Sequence, residues 1–126
     1  MAQNSGPGFK QNPDHHVKLK REGKRVRVTF AGEIIADSAA AITLDETNHG
    51  PVFYIPRGDV KMDHLAKTDH HSYCPYKGEA SYFTITGGRT AENAVWSYEQ
   101  PYDEVTEIKD HLAFYPNKVD SIAAEG

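Results

Sequence analysis

Residues 26–38, VRVTFAGEIIADS, decide the fold class of this chain. The first five residues alternate apolar and polar side chains between Val26 and Phe30. A period of two, with β-branched and aromatic residues, is typical of a strand that buries one face. An Ala-Gly turn signal follows, and two isoleucines then resume the apolar pattern. The stretch therefore predicts two strands joined by a tight turn.

Similar strand and turn patterns occur before and after this stretch. Residues 17–20 (VKLK) also alternate and are separated from it by Glu22-Gly23, which predicts a three-strand meander. Short helices are predicted after two capping residues, Asp59 and Asp103. The chain is thus predicted to be mainly β, with about eight short strands in two packed sheets or a partly open barrel, and two short helices. The remaining strands are predicted near residues 42–44, 52–55, 70–73, 82–86, 95–98 and 112–115.

Length, charge and composition limit the classes of protein that fit. The 126 residues suit one domain, and the net charge of −4 argues against nucleic acid as a partner. No apolar run approaches the roughly 18 residues of a membrane span, so no membrane association is expected. The first ten residues lack the apolar stretch of a signal peptide, which predicts a cytoplasmic location. A single cysteine leaves no internal disulfide.

Composition also suggests where the domain begins and ends. Residues 1–14 are rich in Gly, Pro, Asn and Gln without a periodic apolar pattern, which predicts a mobile N-terminal arm. A single β-rich domain is predicted over residues 15–120, and residues 121–126 are predicted to be a frayed tail.

Several segments, taken together, resemble the family called domain of unknown function 427. That family comprises small single-domain bacterial and fungal proteins, sometimes catalogued as nucleotidyltransferase-like. The resemblance implies a compact β-rich fold and no particular chemistry. Gly58 departs from the family pattern, where a bulkier polar residue is expected. The segments that carry the resemblance are VRVTFAGEIIADS (26–38), FYIPRGDV (53–60), CPYKGEASY (74–82), AVWSYEQP (94–101) and LAFYPNKVD (112–120).

The nucleotidyltransferase label is not matched by the residues that such chemistry needs. Phosphate transfer requires carboxylates for Mg²⁺ and a cradle for phosphates. Asp59 and Asp63 are four residues apart, but the Gly-Ser turn followed by Asp-x-Asp is missing, and residues 87–90 (GGRT) are no P-loop. The adjacent histidine pairs at 15–16 and 70–71 would point to opposite faces of a strand. We therefore predict no metal site, and whether the domain holds a cofactor is unknown from the sequence.

The residues that could bind a ligand are aromatic and basic. On neighbouring strands Tyr82, Trp96 and Tyr98 could form one wall, although aromatic residues on strands more often belong to the core. Arg57 or Lys77 would pair with an anionic group while the aromatic rings pack against the rest of the molecule. We predict that the domain binds a small molecule, with an anionic one fitting best, in an aromatic-lined cleft. The predicted ligand-binding residues are Tyr54, Arg57, Cys74, Lys77, Tyr82 and Trp96.

Two alternatives stay open at this point. An enzyme could use Cys74 or Lys77 as its nucleophile, with Glu79 or His71 carrying the proton. The domain could instead be a protein-interaction module that pairs through an exposed strand edge. Neither the oligomeric state nor the presence of catalysis follows from the sequence.

Overall fold

The computed structural model describes residues 4–126, and strands dominate it. Over residues 4–126 the mainly β prediction is confirmed, with ten strands in three antiparallel sheets. The strands are β1 Val17–Lys20, β2 Arg25–Phe30, β3 Glu33–Ser38, β4 Ile42–Glu46, β5 Val52–Tyr54, β6 Leu65–Cys74, β7 Gly78–Ile85, β8 Ala91–Ser97, β9 Ala113–Phe114 and β10 Ser121–Glu125. The helical elements are α1 Pro7–Gln11 and 3-10 segments at Arg57–Asp59, Met62–His64, Asp103–Ile108 and Pro116–Lys118.

The three sheets have the strand orders β1-β4-β5, β10-β2-β3 and β6-β7-β8-β9. The hairpin predicted from residues 26–38 is present, with Phe30 opposite Glu33 in the β2–β3 register. Its turn residues Ala31 and Gly32 have φ angles of 51° and 80°, which suit the twist of a tight hairpin. The predicted meander is wrong at its first strand, because β1 pairs with β4 and β10 occupies the free edge of β2.

The four-stranded sheet contributes side chains to two apolar clusters, and alternation along β7 shows how. Phe83 and Ile85 belong to the cluster that includes Val26 and Val28 of β2. Tyr82 belongs to the second cluster, together with residues of β4 and β5. Because successive side chains on a strand point to opposite faces, β7 serves both clusters at once. The candidate site lies on the side of the second cluster.

The structure differs from the sequence prediction at both ends of the chain. Residues 121–125 form β10, with Ile122 opposite Val28, so the prediction of a frayed tail is wrong. Ile122 packs on the first cluster, and the two alanines that follow give little periodic signal. Within the predicted arm, residues 1–3 lie outside the described residues, and α1 contacts the domain. The amide of Gly8 donates to the Pro75 carbonyl at 3.0 Å.

The two predicted helical stretches are 3-10 turns. The first 3-10 turn ends at Asp59, and the chain is extended at Val60, which forms a β-bridge with Ala36. The longer helix that was expected after Asp59 therefore does not form. The segment Asp103–Ile108 contains a non-helical residue, Val105, whose side chain is fully buried. No helix in the part of the chain that the structure describes is both long and apolar enough to cross a membrane.

Candidate functional site

A cavity of about 230 Å³ lies between residues of β4 and β5 on one side and β7 and β8 on the other. We call it the aromatic pocket, because four tyrosines and the single tryptophan contribute to its wall. The lining residues are Leu44, Glu46, His49, Gly50, Val52, Tyr54, Lys77, Tyr82, Trp96, Tyr98 and Tyr115.

Strand pairing and hydrogen bonds hold the aromatic wall together. Tyr82 and Trp96 are direct cross-strand partners on β7 and β8. The indole N–H of Trp96 donates to the Tyr54 hydroxyl at 3.2 Å, and the Trp96 and Tyr115 rings lie 4.5 Å apart between centroids. The hydroxyls of Tyr82 and Tyr115 are 3.4 Å apart. Such contacts fix the ring orientations, so the wall is formed before any ligand binds.

Lys77 supplies the positive charge of the pocket. Lys77 as a whole is 8% exposed, and its Nζ donates a hydrogen bond to Glu46 Oε1 at 2.5 Å. The backbone fixes its position, because the Lys77 amide donates to Cys74 and the Lys77 carbonyl accepts from Tyr102. Gly78 follows with a φ of 112°, a conformation that favours glycine. The CPYKG turn therefore aims Lys77 into the pocket by backbone geometry.

Glu46 joins the pocket to the N-terminal segment. Its Oε2 lies 2.8 Å from His15 Nε2, and the His15 ring stacks on Tyr76 at 4.0 Å between centroids. Burial opposes ionisation of Glu46, but the hydrogen bonds and charges of Lys77 and the bond to His15 together hold the pKa of this carboxyl below its ordinary value. Glu46 is therefore ionised at neutral pH.

The tyrosines of the wall are neutral hydrogen-bonding groups. Burial raises the pKa of Tyr54 and of Tyr98 well above their ordinary value. Burial and the neighbouring Tyr82 hydroxyl raise the pKa of Tyr115 to about 12. These phenols keep their protons at neutral pH and can orient a ligand by hydrogen bonds.

Four of the six predicted ligand-binding residues line the aromatic pocket, namely Tyr54, Lys77, Tyr82 and Trp96. The structure places the other two elsewhere.

Arg57 does not line the pocket. Its Nε donates to the Asp110 carbonyl at 3.1 Å, and its guanidinium lies 5.6 Å from the centre of the Phe83 ring, on the side of the first cluster. Cys74 is partly buried against the second cluster and does not line the pocket either. The structure thus leaves Lys77 as the member of the predicted set that could pair with an anion there.

Sequence reasoning missed Glu46, His49 and Tyr115. Glu46 and His49 come from the end of β4 and from the following turn, and nothing in their local sequence sets them apart from solvent-exposed residues. Tyr115 was predicted as the end of a strand, and its LAFY context gave no indication of which face it occupies.

Of the groups suggested for a catalytic role, Lys77 lines the aromatic pocket, whereas Cys74, Glu79 and His71 do not. His71 Nδ1 lies 3.5 Å from Glu79 Oε1, and both side chains are largely exposed. Neither lines the aromatic pocket. Asp59 accepts a hydrogen bond from the Ser38 hydroxyl at 2.6 Å. Within residues 4–126, no three His, Cys, Asp or Glu side chains cluster as metal ligands would.

Together these features define a small, β-rich single domain with a preformed aromatic pocket and a buried lysine. A family model described as a domain of unknown function, DUF427, matches residues 18–125, and the chain therefore belongs to this family. The match includes β10 and so agrees with a domain that extends beyond residue 120. Among curated proteins, none matches the chain in sequence.

Proposed function

We propose that this domain binds a small molecule in the aromatic pocket, with Lys77 as the anchor for a carboxylate or another hydrogen-bond acceptor. The observation that carries the proposal is the arrangement of the Lys77 ammonium. It has three N–H donors, and among the described residues Glu46 accepts one of them. The remaining donors belong to a nearly buried group in the pocket wall, where a ligand oxygen could replace water.

Energetics favour a role for this ion pair beyond folding. Removing two charges from water costs several kcal/mol per ion, and replacing a buried pair by apolar residues is often neutral or stabilising. Burying Lys77 against Glu46 is therefore a poor way to stabilise a fold. A function that needs a fixed ammonium accounts for the arrangement better.

The size and chemistry of the pocket indicate the ligand class. Small-molecule sites are mostly apolar with a few placed polar groups, and this pocket has that composition. Its volume of about 230 Å³ is below the range for drug-sized ligands, which favours a molecule the size of a small aromatic or aliphatic acid. The tyrosine hydroxyls can accept or donate hydrogen bonds at the ligand's edges.

The strand-edge alternative stays a prediction. The ten-residue strand β6 is an edge of the four-stranded sheet, and its exposed side chains include Lys67, Asp69 and two histidines. Charged residues on an edge strand disfavour pairing with another strand. We therefore do not propose strand addition as the function.

The test is a calorimetric titration with benzoate and butyrate against a matched pair of double variants. Lys77→Met with Glu46→Gln removes both charges of the buried pair, whereas Lys20→Met with Asp45→Asn removes an exposed pair 2.9 Å apart. We expect at least a tenfold loss of affinity in the first variant, since hydrogen bonds to charged groups are worth about 1.5–3 kcal/mol, and no loss in the second. Equal affinities in both variants, with both folded, would overturn the proposal.

A further inference from the structure

A second cavity of about 250 Å³ lies next to the aromatic pocket. We call it the apolar cavity, because no charged side chain lines it. Its lining residues are Val28, Pro51, Val52, Phe53, Ile55, Trp96, Phe114, Pro116 and Ile122. The one polar side-chain group among them, the Trp96 N–H, is already donated to Tyr54.

Strand β5 separates the two cavities. Because side chains alternate along a strand, Tyr54 lines the aromatic pocket while Phe53 and Ile55 line the apolar cavity. Val52 and Trp96 line both. The two cavities therefore adjoin at the first residue of β5.

The turn before β5 marks the same meeting point. Gly50 lines the aromatic pocket, and the next residue, Pro51, lines the apolar cavity. A Cβ atom added at Gly50 would have no heavy atom within 4 Å, so there is open space beside this turn. A ligand could lie across the turn with one end in each cavity.

The apolar cavity is large enough for a substantial group. Protein interiors contain few voids larger than a water molecule, and an apolar cavity of about 150 Å³ accepts benzene. The apolar cavity exceeds that volume and offers a ligand no charged side chain and no free side-chain donor. It therefore fits an aryl ring or a short alkyl chain.

We infer that the ligand of this domain is amphipathic, with an acceptor head on Lys77 and an apolar tail that passes Val52 into the apolar cavity. This inference rests on the proposed function, because it takes Lys77 as the anchor of the head. It adds the requirement for a tail and assigns the tail to a second set of residues.

The test is a titration of the whole chain with straight-chain carboxylates from propionate to octanoate, in which binding is monitored by Trp96 fluorescence. Burial of each added methylene should tighten binding about fourfold until the cavity is filled. Ile122→Phe fills part of the cavity and should flatten this dependence. Ile34→Phe, at an exposed isoleucine on strand β3 of the same sheet, is the matched control and should leave the dependence intact.

The titration gives different results if the tail assignment is wrong and if the head assignment is wrong. If propionate binding depends on Lys77 but affinity does not rise with chain length, the proposed function stands and the amphipathic ligand is overturned. If affinity rises with length equally in Ile122→Phe and the unaltered protein, the assignment of the tail to the apolar cavity is wrong. If octanoate binds the variant lacking both Lys77 and Glu46 charges as tightly as the unaltered protein, the head on Lys77 is wrong, and the inference fails with it.

Discussion

Lys77 Nζ lies 2.5 Å from Glu46 Oε1, and the two side chains are only 10% and 11% exposed. The partners are 31 residues apart in sequence, one on a tight turn and the other at the end of β4. Because this shielded pair also lies in the wall of the aromatic pocket, it affects both the stability of the fold and the chemistry of the pocket. Both effects can be measured.

Removing one partner of this pair should destabilise the protein more than removing both charges. Lys77→Met leaves the Glu46 carboxylate buried with His15 as its remaining partner, and breaking a buried pair costs about 3 kcal/mol or more. Lys77→Met with Glu46→Gln should recover most of that loss. The measurement is the free energy of unfolding in urea. A double variant as unstable as the single one would contradict the account.

The pair also predicts how stability depends on pH. The pKa of Glu46 is lower in the folded protein than its ordinary value of 4.5, so its contribution to stability is present above that value. It is lost as the pH falls through the folded pKa. Urea unfolding between pH 6 and pH 3 should therefore show a steeper decline for the unaltered protein than for the variant lacking both charges. Parallel curves would show that Glu46 is not the responsible group.

We expect the ring of Trp96 to contribute more to ligand binding than its indole N–H. Trp96→Phe keeps an aromatic ring between Tyr54 and Tyr115 and removes one hydrogen bond, at a cost of about 1 kcal/mol. Trp96→Ala removes the wall that the two cavities share and should abolish benzoate binding at millimolar concentration. Calorimetry on both variants, with the melting temperature as a check of folding, measures the difference. Equal benzoate affinity in Trp96→Ala and the unaltered protein would remove Trp96 from the site.

The N-terminal helix α1 should detach when Gly8 gains a side chain. A Cβ atom there would lie 2.6 Å from the Tyr76 ring, which is packed between Phe9 and His15. Gly8→Ala should increase amide exchange at Gly8, whose N–H is bonded to Pro75. Gly50→Ala is the control, since a Cβ atom at Gly50 meets nothing within 4 Å. Unchanged exchange at residue 8 in the Gly8→Ala variant would show that the ring moves aside without loss of docking.

Deleting residues 121–126 should lower the melting temperature by several degrees. The deletion removes β10 from the edge of β2 and takes Ile122 away from the first cluster. Burial of an aliphatic side chain is worth about 1.5–3 kcal/mol, reduced here because Ile122 is half-buried. Differential scanning calorimetry measures the shift. A melting temperature equal to that of the full chain would restore the prediction of a frayed tail.

Local patterns in the sequence were sufficient for the strands that bury one face. The alternation from Val26 to Phe30 and the turn that follows predicted the β2–β3 hairpin, because both depend on neighbouring residues alone. Pairing between distant strands does not leave such a signal. That is why β1 was assigned to β2 rather than to β4, and why β10 was missed.

The same contrast between local patterns and distant contacts applies to the candidate site. Tyr54, Lys77, Tyr82 and Trp96 could be named because aromatic and basic residues are conspicuous in strands and tight turns. Glu46 could not, since its importance comes from Lys77 and His15, both about 31 residues away in sequence. Arg57 was misplaced because the 3-10 turn that carries it directs its side chain to Asp110 and Phe83. Side-chain direction depended on tertiary contacts that a single sequence does not display.

The position of strand β10 has a practical consequence for anyone preparing this protein. Ile122 lies in β10, which runs to Glu125, and lines the apolar cavity. A purification tag fused after Gly126 would therefore continue from the strand that forms part of the cavity wall, and a hydrophobic linker could occupy the cavity. Ligand screens belong on protein from which the tag has been cleaved.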